Sequence, residues 1–439
     1  MRRHARVLIG LCLLVIYAIW VSLGVDRVPF HPDESSLLYQ SRDFELWLTD
    51  PLSLAWDSTN PDDYDQVYRA LNAPLTKYVL GIGRRIMGYG PEAVSTDWDW
   101  SKTWQENKAS GALPEDKLLF GSRLSITLLL PFSLLLIYRS GCILKNKRMG
   151  YIAAFLLATN ALILLHDRRA MAEGVLTFGV CLAILGMLEA DRRPWLAGLG
   201  AALATMAKYS SAPLLLVNFL ACALIPSQET SKYAKIIKNL LIFTLVAAIT
   251  MFILSPIAWT HPIQALSQIW NTRQEFVRQQ VNTLRILMPG HIPETPPARV
   301  AVMLGHLYLT PLQFEEVGNY HPQIAAMSEA YLSNPIHSLL RNAVGAGLAL
   351  FLTILGIAAG IRCTSTLKDG YAKRNLMLLL AATALQILAL LVANPLPYQR
   401  YWIPVVPFII VWMAYGVEEI VSITKKQAAQ PTSDLPENQ

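Results

Sequence analysis

The stretch "HPDESSLLYQ", residues 31–40, sets two adjacent carboxylates, Asp33 and Glu34, behind a proline and just after a long apolar run. A carboxylate in such a place can take the proton of an attacking hydroxyl. Ionisable side chains recur at the ends of later apolar runs: Arg168, Arg169 and Glu173 in "HDRRAMAEG", Lys208 in "MAKYSS", Arg400 with Tyr401 in "NPLPYQRYW", and Lys77 in "NAPLTKY". Charges at the ends of spans are costly unless they are solvated, paired or used. Acids gathered with fixed cations on one membrane face suit a reaction in which a nucleophile loses a proton and a phosphate leaves. The cations hold the phosphate while the carboxylate takes the proton. Plainer readings stand beside this one: Glu173 pairs with Arg169 at i,i+4, the span-end cations snorkel, and Asp33 is the N-cap of the helix that follows.

The elements that must position these residues are helices in lipid. Of 439 residues, 53% are hydrophobic and only 15% charged, the balance of a membrane protein. The formal charge of +6 sits in short clusters between apolar runs, as topology signals and not as a nucleic-acid footprint. Apolar runs near 7–25, 119–138, 150–166, 171–189, 195–207, 209–225, 238–255, 342–361, 375–393 and 402–422 give about ten spans. The first is too long for a signal-peptide core and is expected to be retained. The division around Lys208 is the least regular.

The basic loops, such as "YRSGCILKNKRMG", "DRRPW" and "RCTSTLKDGYAKR", all fall on one side, which the charge rule makes cytoplasmic. The integral domain is then 1–422, with extracytoplasmic loops at 26–118 and 256–341 and a polar cytoplasmic tail at 423–439. The first loop carries sixteen acids against nine Lys and Arg. Apolar residues at helical spacing, Ile263, Leu266 and Trp270 in the second loop and Leu71, Leu75 and Tyr78 in the first, predict helices lying along the membrane surface. The five cysteines fall in spans or cytoplasmic loops, so no disulfide framework is implied.

The ordered segments "HPDESSLLYQSR", "NAPLTKY", "RRAMAEGVLTFGV", "MAKYSSAPLLL" and "QRYWIPVVPF" resemble the GT-C-fold membrane glycosyltransferases of the protein O-mannosyltransferase and aminoarabinose-transferase type, over about residues 7–410. The likeness departs from the aminoarabinose pattern at Ser36 and Ala73, where that pattern carries an arginine and a lysine. It implies an all-α GT-C-like bundle in a bacterial or archaeal cell membrane, acting on the extracytoplasmic face. The implied activity moves a sugar from a polyprenyl-phosphate donor, dolichyl- or undecaprenyl-linked, to an acceptor hydroxyl with inversion. Asp33 would be the base and Glu34 would position it or the acceptor. Lys77, Arg168, Arg169, Lys208 and Arg400, with Glu173 and Tyr401, would line the donor phosphate site.

The partners so implied are the donor, a protein, lipid or glycan acceptor, and the bilayer. No cofactor is required, because arginine and lysine can hold the leaving phosphate. His31, or His166 with Glu173, are the residues that remain for a divalent metal. The alternatives are a transporter or lipid flippase, which would keep its charges near the midplane in repeated halves, and a noncatalytic assembly subunit.

Overall fold

A computed structural model describes residues 2–225, 232–316 and 320–428. The described residues form helices and no strands. The first part of the chain supplies α1 (Arg2–Ser22), α2 (Pro32–Gln40), α3 (Asp43–Thr49), α4 (Tyr64–Leu71), α5 (Pro74–Ile86) and α6 (Trp104–Ala109). A continuous bundle follows: α7 (Asp116–Thr127), α8 (Leu129–Leu144), α9 (Lys147–Ala158), α10 (Ala161–His166), α11 (Ala172–Leu188), α12 (Pro194–Ala207), α13 (Pro213–Ala223) and α14 (Lys232–Leu254). Beyond it lie α15 (Pro262–Leu287), α16 (Pro296–Leu304), α17 (His321–Leu332), α18 (Pro335–Ser338), α19 (Ala343–Thr366), α20 (Gly370–Ala393) and α21 (Val406–Ala428).

Six helical segments among the described residues are long and apolar enough to cross a bilayer: Leu8–Arg27, Asp116–Leu144, Lys232–Leu254, Ala343–Thr366, Gly370–Ala393 and Gln399–Lys425. The apolar helices α11, α12 and α13 are shorter. The chain is therefore a multi-pass membrane protein, but the count of ten spans is not matched among the described residues, and the run 150–166 is divided into the short helices α9 and α10. Lys208 is extended between α12 and the turn Tyr209–Ser211, so the irregular stretch is broken there. Of the tail expected at 423–439, residues 423–428 continue α21 and the rest lie outside the described residues.

Small residues let the central helices touch. A Cβ on Gly179 of α11 would stand 2.6 Å from the Ala204 Cα of α12, and one on Gly200 of α12 would stand 2.6 Å from the Ala183 nitrogen. Where lipid removes the hydrophobic drive between helices, such close backbone approach is what holds them.

The two ends of α11 differ in chemistry. Its start carries Glu173, and just past its end Glu189 meets Arg139 and Arg193. At that same end of the bundle Arg148 pairs with Glu418 at 2.6 Å, and Lys145 and Arg362 pair with Glu419. A 17-residue helix spans about 25 Å, so Glu173 and the cluster around Glu189 lie about that far apart.

The two long inter-span segments dock on each other. The Trp56 amide donates to the Ile257 carbonyl at 3.0 Å, and Arg273 Nη1 of α15 donates to the Leu71 carbonyl at 2.6 Å. On α15, Ile263, Leu266 and Trp270 remain exposed, as a helix facing an apolar surface requires. The expectation of a second surface helix over 71–82 is corrected. Tyr78, Leu80, Thr76 and Lys77 of α5 are buried, because α5 packs into the protein against α3, α7 and α12.

Candidate active site

Local capping sets Asp33. Pro32 occupies the first turn of α2, His31 is the N-cap, and its Nδ1 accepts from the Asp33 amide at 3.1 Å. Glu34 closes the reciprocal half of the box by accepting the His31 amide at 3.0 Å. The expected alternative, Asp33 as cap, is thereby corrected: His31 takes that work and leaves the Asp33 carboxylate free to point elsewhere.

Glu34 is fully buried and saturated. Arg123 of α7 grips it in a fork, Nε to Oε2 and Nη2 to Oε1, both at 2.7 Å, and the Ala170 amide donates to Oε2 at 2.8 Å. Arg123 Nη1 also donates to the Val25 and Val28 carbonyls. One carboxylate thus joins the exit of the first span, the start of α2, the second span and the turn before α11. Burial favours the neutral acid, but Arg123, then Arg169 and the Ala170 amide outweigh it and keep the Glu34 carboxyl below the usual range.

Asp33 is the open member, with 31% of its side chain exposed. Arg400 Nη1 donates to its Oδ2 at 2.5 Å. Partial burial favours the neutral acid, but Arg400, then His31, then Lys208 outweigh it and hold Asp33 at about 2.

Arg400 is shared with a carboxylate that sequence reasoning missed. Glu316 faces it across a fork, Oε1 2.5 Å from Nε and Oε2 accepting from Nη2 at 2.8 Å. The loop strand bearing Glu316 is held by Gln399. The Gln313 amide donates to Gln399 Oε1 at 3.0 Å, and the Gln399 amide returns the bond to Gln313 Oε1 at 2.9 Å.

Lys208 Nζ donates to Glu173 Oε1 at 2.7 Å and lies over the Tyr401 ring at 4.8 Å. Glu173 therefore pairs with Lys208 and not with Arg169, because Arg169 turns away. Its Nε donates to the Pro29 carbonyl at 3.0 Å and its Nη2 to the Phe314 carbonyl at 2.9 Å, tying the two long loops together. Arg168 donates to the Val21 carbonyl at 3.1 Å and lies 4.9 Å from the Trp20 ring, against the first span.

Lys77 is held in a separate buried cluster. Its Nζ donates to Asp43 Oδ2 at 2.5 Å, and Arg69 forks onto the same carboxylate. Burial pushes the Lys77 ammonium down from its ordinary value, although Asp43 opposes this.

The expected single constellation is thus divided. Asp33, Arg400, Tyr401, Lys208 and Glu173 come together with Glu316 and His31, while Lys77, Arg168 and Arg169 engage other partners. His166 is buried with no hydrogen-bond partner on either ring nitrogen. Among the described residues no group of three His, Cys, Asp or Glu side chains is arranged to hold a metal.

The family model for dolichyl-phosphate-mannose-protein mannosyltransferases matches residues 48–267, half of the chain. The chain belongs to that family. The matched stretch contains Lys77, Arg168, Arg169, Glu173 and Lys208, whereas Asp33, Glu316 and Arg400 lie outside it.

Among solved structures, the chain is similar to the Archaeoglobus fulgidus oligosaccharyltransferase complexed with Zn and sulfate. Identity is 14% over 95% of this chain and 50% of that one, with TM-score 0.50. It is also similar to the archaeal oligosaccharyltransferase AglB from Archaeoglobus fulgidus bound to an inhibitory peptide and a dolichol-phosphate, at 13% identity over 98% and 52%, with TM-score 0.47. The chain spans about half the length of these structures, and the first likeness shows a shared GT-C fold. No curated protein matches it.

Two members of the site carried a signal that sequence reading did not use. Arg123 is the one cation inside the apolar run 119–138, and Glu316 sits in "QFEEVGN" of a loop otherwise read only for its helices.

Proposed function

We propose that the chain transfers a sugar from a polyprenyl-phosphate donor to an acceptor hydroxyl at the extracytoplasmic face, with inversion, and that Asp33 is the general base. The observation that carries this reading is the contact of Asp33 with Arg400: a partly exposed carboxylate, kept charged, directly beside a guanidinium.

In the reaction the acceptor hydroxyl gives its proton to Asp33 as its oxygen bonds to the anomeric carbon. The bond from that carbon to the phosphate oxygen breaks, and the electron pair leaves with the polyprenyl phosphate. Arg400 and Lys208 receive the growing negative charge, for which a guanidinium fork is well shaped. Attack from the face opposite the phosphate inverts the centre. A base held this low is a weak proton acceptor at rest. Engagement of Arg400 by the donor phosphate would raise its basicity as the reactants assemble.

Glu34 acts by position: saturated and unexposed, it fixes the start of α2 through Arg123. Arg169 and Arg168 serve the same framework through backbone carbonyls. Sidedness follows from charge, since the basic loops meet at the end of the bundle remote from Asp33, and such loops face the cytoplasm. The family's description favours mannose as the sugar and protein as the acceptor.

The test is turnover by purified protein of a defined β-linked polyprenyl-phosphate mannose with a hydroxyl peptide, with the product anomer read by NMR. An α-linked product supports the reading. Retention of the β configuration, or donor hydrolysis alone, contradicts it.

A further inference from the structure

We propose that Glu316 is an internal competitor of the donor phosphate: its carboxylate occupies the phosphate position on Arg400, leaves when the lipid phosphate binds, and returns to expel the product. This rests on the reading that Arg400 holds the lipid phosphate.

Arg400 is shared between two acids. Its Nη1 is engaged by Asp33, and the Nε–Nη2 edge carries both oxygens of Glu316, at 2.5 and 2.8 Å. Only Nη2 makes a hydrogen bond there, and Nε is left without one, so two phosphate oxygens on this edge could satisfy both nitrogens. A phosphate taking Nη1 would displace Asp33, and one taking the Nε–Nη2 edge would displace Glu316.

The anchoring of the two acids decides which one moves. Asp33 lies in the first turn of a helix whose cap is closed by His31 and Glu34, and Glu34 is locked by Arg123 and the Ala170 amide. Glu316 lies on an irregular strand whose bonds to the body come earlier, at Gln313 and at the Phe314 carbonyl. Besides Arg400, His31 Nε2 stands 3.5 Å from the Glu316 carboxylate without a hydrogen bond between them.

Charge gives the exchange a direction. The donor is a phosphodiester with one negative charge, so it replaces one carboxylate by one anion. The released polyprenyl phosphate is a monoester carrying about −1.5 to −2, which Arg400 and Lys208 would retain more tightly. A tethered carboxylate returning to the same edge lowers that affinity without closing the site to the diester.

The test measures binding of a short-chain polyprenyl phosphate to the full purified chain, with the uncharged polyprenol as control, for wild type, Glu316→Gln, Glu316→Asp and Arg400→Gln. The expected result is about tenfold tighter binding by Glu316→Gln, a smaller gain for Glu316→Asp, at least tenfold weaker binding by Arg400→Gln, and no change with polyprenol. In turnover, Glu316→Gln should show stronger inhibition by polyprenyl phosphate. Weakened binding by Arg400→Gln with unchanged or weaker binding by both Glu316 variants overturns the competitor role and leaves the phosphate site standing. Binding by Arg400→Gln equal to wild type overturns the phosphate site itself. Glu316→Asp preserves the charge, so it decides the matter if Glu316→Gln does not fold.

Discussion

Arg400 Nη1 and Asp33 Oδ2 are 2.5 Å apart, joining the entry of the last span to the exit of the first across 367 positions of sequence. The pair divides the two acids of the opening motif by task. Asp33 keeps 31% of its side chain exposed, and its neighbour Glu34 is buried in the framework.

That division should appear in stability. Glu34→Ala leaves Arg123 buried without its carboxylate and is expected to cost about 3–5 kcal/mol. Asp33→Asn loses the pairing with Arg400 but leaves Arg400 with Glu316, and should cost clearly less. Thermal unfolding in detergent checks both; equal losses would place Asp33 in the framework as well.

The pH profile follows from Asp33 being held at about 2. Its folded value is depressed from 3.8, so the stability its pairing contributes is present above about pH 4 and is lost as pH falls through about 2. The charged form is the base, so kcat/KM should show no acid limb from Asp33 between about pH 4 and 7. In Arg400→Gln the residual activity should gain a limb that moves toward the ordinary carboxylate range near ~4. A wild-type limb at that position would contradict the pairing.

Asp43 carries two cations, Lys77 and Arg69, in a buried cluster apart from Asp33. Asp43→Ala strands both and is expected to cost about 3–5 kcal/mol, while Lys77→Met leaves Asp43 with Arg69 and should cost less. Lys77→Met is also expected to leave polyprenyl-phosphate affinity within about twofold of wild type, since its ammonium does not face Arg400. A loss comparable to that of Arg400→Gln would return Lys77 to the phosphate site.

The close contact of α11 with α12 gives a prediction for the bundle. Gly179→Leu drives a side chain into the Ala204 backbone, and overpacking of this kind typically costs about 1–3 kcal/mol. Reduced thermal stability with the donor KM of the surviving protein little changed is expected.

Much of this was legible in order and little in partnership. Apolar runs fixed where helices lie, because helix in lipid is an obligation of backbone hydrogen bonding. The reading of Asp33 as N-cap put the start of α2 close to where it lies, though His31 is the cap, and the GT-C-fold and family expectations agree with the structural likeness and the family match. Which cation meets which acid was a different matter. Glu173 had Arg169 within one helical turn, yet it pairs with Lys208, 35 residues away, because Arg169 is drawn to carbonyls of both loops. Lys77 belonged by pattern to the phosphate set, yet Asp43 is nearer. Charge pairing between distant segments depends on tertiary geometry, which periodicity does not encode. Glu316 was hidden for the same reason, being an ordinary loop acid until Gln399 brings its strand to Arg400.

The most direct measurement is the rate of sugar transfer from polyprenyl-phosphate donor to acceptor by purified Asp33→Asn beside wild type, with both shown to be folded by their unfolding profiles. The expected result is a loss of about 10²–10⁴-fold in kcat with donor binding retained. A folded Asp33→Asn that transfers sugar at the wild-type rate would contradict the assignment of Asp33 as the base.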